Sequence, residues 1–354
     1  MRILFTMSLI IFFLSSCAKK EHTSSIAIDI FNDRNARTID IEKIETDYLI
    51  AYPECMLWVG NGHLIIKDEM NHECLFHLLD IKTGKLLSDF VRKGQGPDEY
   101  ASSTLNVHLH QDGQQLSFFD PNGRRYHTFA PTEDDISLGY KHISSHVITS
   151  IPAIREVIVA KQGYILTGEN GRFDSHRFVS VDENWNIENS SGTYPDLKPL
   201  LGSDENYRQM IYSTVMYKTA PSKNKAVFAT YRGALLQLLD ISNYKDSVKT
   251  IKSILLNRPI KTEQIEPNHA GWVYGFEDIY ATDHYVYAIY NGQTAKENPM
   301  LGKNILVYDW NGQIVNTYKT ELNLRCIAVD EAQNTAYVIA CEEDGEFFLG
   351  QCKL

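Results

Sequence analysis

The sequence predicts an all-β protein: a six-bladed β-propeller of four-stranded antiparallel blades, its ring closed by an N-terminal strand. Three observations predict it. Apolar residues recur at period two in short runs such as Tyr285–Tyr290 and Ile305–Val315. Inside the second run, Asn311-Gly312 is a strong hairpin signal, because a type I′ turn needs positive φ at both central positions. The same strand–turn–strand unit then recurs along the chain. No stretch keeps a helical period; the nearest candidate, Asn206–Tyr217, reads equally well as a strand.

The recurring unit has the form apolar strand, Asp, turn, apolar strand. It appears at Leu75–Asp80, Leu116–Asp120, Phe178–Asp182, Leu235–Asp240 and Val307–Asp309. An Asp at a strand end accepts hydrogen bonds from backbone N–H groups two residues on and closes the turn. The five Asp residues lie about 57 residues apart on average, the length of one blade. Candidate strands precede most of the hairpins: His63–Ile66, Tyr164–Leu166, Ala226–Ala229 and Val286–Ile289. Four strands per unit and about 55 residues per unit give six blades. The last repeat holds only three strands: Cys326–Val329, Ala336–Ile339 and Phe347–Leu349. Ile26–Ile30 or Thr38–Ile44 is expected to supply the fourth and so remove the free edge. Seven blades would need shorter repeats than these intervals allow. A pair of β-sandwiches is the alternative architecture.

The N-terminus predicts export. Arg2 precedes an apolar run, Ile3–Leu14, too short to span a bilayer as a mature helix and suited to a signal-peptide core. Leu14-Ser15-Ser16-Cys17 resembles a bacterial lipobox, in which the Cys sulfur takes the lipid. The expected organisation is a signal peptide over 1–16, a lipidated tether over 17–25 and a propeller over 26–354. Ala18, not Asp, follows Cys17; by resemblance to bacterial lipoprotein sorting this favours the outer membrane, on its periplasmic or outer surface. A lipid anchor tethers without spanning.

Composition narrows the partners. A formal charge of −11 without a basic stripe argues against nucleic acid. Five cysteines follow Cys17, namely Cys55, Cys74, Cys326, Cys341 and Cys352. An odd number with no framework or zinc spacing predicts buried thiols, with room for one bridge.

Two segments carry a family resemblance. One is Phe90-Val91-Arg92-Lys93-Gly94-Gln95-Gly96-Pro97-Asp98-Glu99-Tyr100. The other is Gly275–Tyr280 running into Val286–Gly292. They resemble the six-bladed TolB-like propeller lipoproteins of Bacteroidetes, over essentially the whole mature chain. The family's usual first motif is Gly-x-Gly-Pro-Gly-Glu-Tyr; here Asp98 replaces the third glycine. The resemblance implies the fold and an envelope location. It carries no catalytic residues to transfer.

Candidate site residues follow from the expected blade connections. Gly94–Tyr100 leaves the fourth strand of its blade and enters the next, on the face beside the central channel. Arg92, Lys93, Asp98, Glu99 and Tyr100 would cluster there as a polar ligand or partner site. The competing reading is a turn held by its own Asp98 and Glu99 hydrogen bonds. Its GxG lacks the following helix of a dinucleotide fingerprint. Trp272 and Tyr274, and in the corresponding connection Tyr207 and Arg208, offer rings and a cation to a sugar or protein partner. Asn106, His108 and His110 share one strand face, so His108 and His110 are candidates for a divalent cation; packed histidines are the simpler reading. No nucleophile elbow or zinc-protease helix is present, and no carboxylate pair can be placed.

The expected function is therefore a membrane-tethered binding or scaffold propeller, monomeric and cofactor-free, that recognises an envelope protein, peptide or glycan through one face. The alternative is a propeller hydrolase or lyase acting on a carbohydrate or lactone, since such enzymes gather polar groups from several blades.

Overall fold

The computed structural model describes residues 26–29, 31–69, 73–94, 96, 99–100, 109–168, 176–197, 211–212, 214–256, 273–294 and 301–354. Three two-residue strands open the chain: β1 (Ala27–Ile28), β2 (Arg37–Thr38) and β3 (Glu42–Lys43). The blades follow in chain order. The first is β4 (Pro53–Gly60), β5 (His63–Asp68), β6 (Cys74–Asp80) and β7 (Lys85–Arg92). The second is β8 (His110–Asp112), β9 (Gln115–Asp120), β10 (Arg125–Thr132) and β11 (Asp135–Val147). The third is β12 (Ile154–Ala160), β13 (Gly163–Gly168), β14 (Phe178–Val181) and β15 (Ile187–Ser191). The fourth is β16 (Val215–Thr219), β17 (Lys225–Thr230), β18 (Leu235–Asp240) and β19 (Lys249–Leu255).

The fifth and sixth blades share one long strand. β20 (Phe276–Ala281), β21 (Tyr285–Tyr290), β22 (Gly302–Asp309) and β23 (Ile314–Asp330) form one sheet that continues into β24 (Thr335–Cys341) and β25 (Phe347–Lys353). The first part of β23 pairs with β22 as the outer strand of blade five. Its last part, Asn323–Asp330, pairs with β24 as the inner strand of blade six. β3 pairs antiparallel with β25, Lys43 opposite Gly350, and so supplies the missing fourth strand. Of the two N-terminal candidates, Thr38–Ile44 thus closes the ring. β1 instead lies parallel to β19 on the edge of blade four, and β2 lies parallel to β23 on blade five. The N-terminal segment therefore runs as a strap along the rims of blades four, five and six.

Among the described residues, the buried apolar side chains fall into six clusters, one at each blade junction. The sixth junction joins Met56, Leu64 and Ile66 of blade one to Cys326, Ala328 and Ile339 of blade six, so the ring is complete. This is why the strand runs are apolar on both faces: each blade is covered on both sides, and each buried Leu, Ile or Phe is worth about 1.5–3 kcal/mol.

The Asp turns form as expected. Asp80 accepts from Lys82 N, Asp182 from Asn184 N, Asp240 from Ser242 N and Asp309 from Asn311 N, each at 2.9–3.0 Å. These four close the turn between third and fourth strands. Asp120 also forms its bond, to Asn122 N, but between the second and third strands of blade two. There the outer turn is made by Glu133 and Asp134, both at positive φ, with Asp135 accepting from Ser137 N. An Asx turn closes any tight reversal, so the motif marks turns without numbering them. Gly84 (φ 69°) shows how tightly the strap's exit packs: a Cβ there would stand 1.8 Å from Glu45 O. The five described cysteines are all free thiols; Cys74 is half-buried and the others are buried.

Candidate functional site: the central channel and its two mouths

The inner strands β4, β8, β12, β16, β20 and the end of β23 line the channel. We call the face where these strands begin the upper face, and the face where they end the lower face. Just inside the upper mouth, charged side chains engage one another within blade one and between blades five and six. Lys67 Nζ donates to Glu54 and to Glu69 Oε1 (2.7 Å), all three nearly devoid of solvent contact. Burial opposes the Lys67 charge, but Glu54 and Glu69 outweigh it and hold its pKa above the usual range. Arg325 Nη1 donates to Glu277 Oε2 at 3.2 Å and its Nε to Pro53 O at 3.2 Å. Asn291 Nδ2 donates to the other Glu277 oxygen at 2.7 Å. Asp278 accepts Ile279 N and, across the blade junction, Ile327 N, both at 2.9 Å. Burial pushes Glu277 up to about 7 and Asp278 up to about 6.

Around this cluster stands a rim of half-buried tyrosines. The Arg325 guanidinium lies 6.0 Å from the Tyr52 ring centre, and Tyr231 and Tyr274 pair at 5.1 Å. Tyr274 is held by reciprocal backbone bonds, its N to Gln293 O and Gly292 N to its O. Rings fixed in this way present flat apolar area at little entropic cost.

The predicted Arg92–Tyr100 loop lies on this upper face. Glu99 Oε2 accepts Gly96 N at 2.9 Å and lies so close over Gly94 that a Cβ there would stand 1.9 Å from it. Gly94 N and Tyr100 N close the loop on Tyr100 O and Arg92 O. The glycines thus make room for the Glu99 carboxylate. Tyr100 is 2% exposed and packs on Phe118 in the junction between blades one and two. Lys93 Nζ donates to Glu69 O, and Arg92 stands exposed 3.6 Å from Glu73. Asp98, Tyr207, Arg208, Trp272, His108, Cys17 and the expected signal peptide lie outside the described residues.

His110 Nε2 lies 3.4 Å from Glu156 Oε1 across the junction of blades two and three. Among the described residues, no group of three or more His, Cys, Asp or Glu side chains is arranged to hold a metal ion. At the lower end the channel widens into a cavity of about 300 Å³, whose lining includes Leu57, His110, Val159, Lys218, Thr219 and Tyr280 from five blades. Lys223 Nζ of blade four meets Asp112 Oδ1 of blade two at 2.5 Å beside it. Sequence reasoning missed Glu277, Arg325 and Lys218. Each lies in a different blade, and only the ring brings them together.

Comparison with known proteins agrees with this architecture. Among curated proteins none matches the chain in sequence. A Bacteroides fragilis protein described as exported shares 13% identity over 93% of this chain and 98% of its own, with a TM-score of 0.54. A DUF4221 family member from Bacteroides vulgatus shares 12% identity over 90% of this chain and 97% of its own, with a TM-score of 0.55. At these identities the likeness is one of fold. A family model described as TolB-like 6-blade propeller-like matches residues 31–332. The chain belongs to the TolB-like six-bladed propeller family.

Proposed function

We propose that the protein is a binding propeller of the bacterial cell envelope, lipid-anchored at Cys17 and using its upper face to hold a peptide or glycan. The observation that carries this reading is the upper mouth itself. Its buried acids and bases are engaged by one another, while the rings of Tyr52, Tyr231 and Tyr274 form a rim around them and Arg92 stands exposed on the same face. Such a surface recognises by stacking and hydrogen bonding. The tether fits the same picture. The chain from Cys17 to Ile26 reaches at most about 30 Å, which holds the strap side of the propeller near the membrane surface.

Two experiments test this. Cys17→Ser is expected to move the protein from the membrane fraction to the soluble fraction; retention on the membrane would overturn the anchor. In cells, cross-linking of the wild type is expected to capture a peptide or glycan partner that Tyr274→Ala with Arg92→Glu loses, with the melting temperature nearly unchanged. Equal capture by the double variant would remove the upper rim from the binding site.

A further inference from the structure

The lower cavity contains an ammonium that touches no carboxylate. Lys218 is 7% exposed, and among the described residues its ammonium makes neither an ion pair nor a hydrogen bond. Its nearest carboxylates have donors of their own. Glu156 takes His110 Nε2 and Val157 N, and Asp278 takes Ile279 N and Ile327 N. Beside Lys218, Thr219 Oγ1 is buried without a partner. Both residues line the cavity of about 300 Å³. Asp278 and Glu156 act on the Lys218 charge only through space. A desolvated ammonium without a direct partner is costly, and a buried hydroxyl without one adds to that cost. Leu57, Leu109, Val159 and Ala220 give the lining apolar area, beside the polar groups of His110, Gln111 and Tyr280. A cavity of this size with few convergent polar groups has the character of a small-molecule site.

We propose that this cavity binds a small organic monocarboxylate, its carboxylate on the Lys218 ammonium and the Thr219 hydroxyl, its apolar body against Leu57, Leu109 and Val159. One negative charge matches one ammonium; a phosphate or sulfate dianion would add a charge that Glu156 and Asp278 repel. Lys223, paired with Asp112 of blade two, also lines the cavity. The site lies at the other end of the channel from the upper rim and is independent of the function proposed for that rim.

The test is calorimetric titration of the exported domain with acetate, butanoate, hexanoate, hexanamide and sulfate. Affinity is expected to rise about fourfold per added methylene until the cavity is full. Hexanamide and sulfate are expected to bind at least tenfold more weakly than hexanoate. Lys218→Met is expected to lose hexanoate binding at least tenfold while melting no lower than the wild type, because it removes a desolvated charge that makes no direct contact. Thr219→Val, nearly isosteric, is expected to weaken binding several-fold and serves if the first variant misfolds. Failure of every carboxylate to bind the wild type would overturn the site, as would undiminished binding in either variant. A large fall in the melting temperature of Lys218→Met would instead make the lysine a structural partner of Glu156 and Asp278.

Discussion

Replacing Arg325 with methionine is expected to lower the stability of the propeller by about 3–5 kcal/mol, because it leaves a buried carboxylate without its cation. The Glu277 side chain has no solvent contact and that of Arg325 is 15% exposed, so water cannot replace the guanidinium. The variant also removes the donor to Pro53 O, which ties blade six to blade one at the ring junction. Adding Glu277→Gln is expected to recover much of the loss, since the amide carries no charge and can still accept from Asn291. Chemical denaturation of the four proteins of this cycle measures the coupling. If the double variant is no more stable than Arg325→Met alone, the ion pair is not the origin of the effect.

The same residues set a pH dependence. Burial raises Glu277 from 4.5 to about 7 and Asp278 from 3.8 to about 6, so the folded protein retains protons that the unfolded chain has released. Their contribution to stability is fully present below the unfolded values and is lost as pH rises through about 6 and then about 7. The wild type is therefore expected to show a higher denaturant midpoint near pH 5.5 than near pH 8, with the difference reduced in Glu277→Gln. An equal midpoint at both values would show that Glu277 and Asp278 do not bind protons more tightly in the folded state.

A chain beginning at residue 46 is expected to lose cooperative folding altogether. It lacks β3, so β25 becomes an open edge, and open edges recruit other chains. It also lacks Ile39, Ile41 and Ile44, which pack on the clusters at the two junctions of blade six. Partial burial of three isoleucines is worth roughly 3–6 kcal/mol. A chain beginning at residue 37 keeps β2 and β3 and is expected to melt within a few degrees of the full domain. A peptide of residues 26–45 added to the shortest chain is expected to restore a sharp transition by strand addition. If the chain from residue 46 already melts like the longer one, ring closure does not depend on β3.

Much of this architecture is legible in the sequence because its signals are local. Asp309, Asn311 and Gly312 encode their turn within a few residues, and Tyr285–Tyr290 displays its period within one strand. The strap was half legible. Thr38–Ile44 and Ile26–Ile30 both look like edge strands, and which blade each joins is decided by the ring and not by either segment. The Gly94–Tyr100 loop illustrates a different limit. Its glycines and acid were visible, but the sequence does not distinguish a carboxylate aimed at a ligand from one aimed at Gly96 N. The channel was the least legible part. Lys218, Glu277 and Arg325 belong to three repeats, and their proximity exists only once the ring is closed.

The pairing of β3 with β25 also bears on the order of events during folding. β3 precedes the six blades in the chain and β25 is the last of their strands. A chain that emerges from its N-terminus makes β3 available before any blade and its partner only after all the other strands. Blades one to five can each pair their own strands as they emerge, but blade six waits for residue 353. Until then the strap has no strand to close against, and the rims of blades four and five are its available partners. Among the described residues this closure joins the partners most distant in sequence, so it bears the largest loop-closure entropy and is expected to be the slow step of folding.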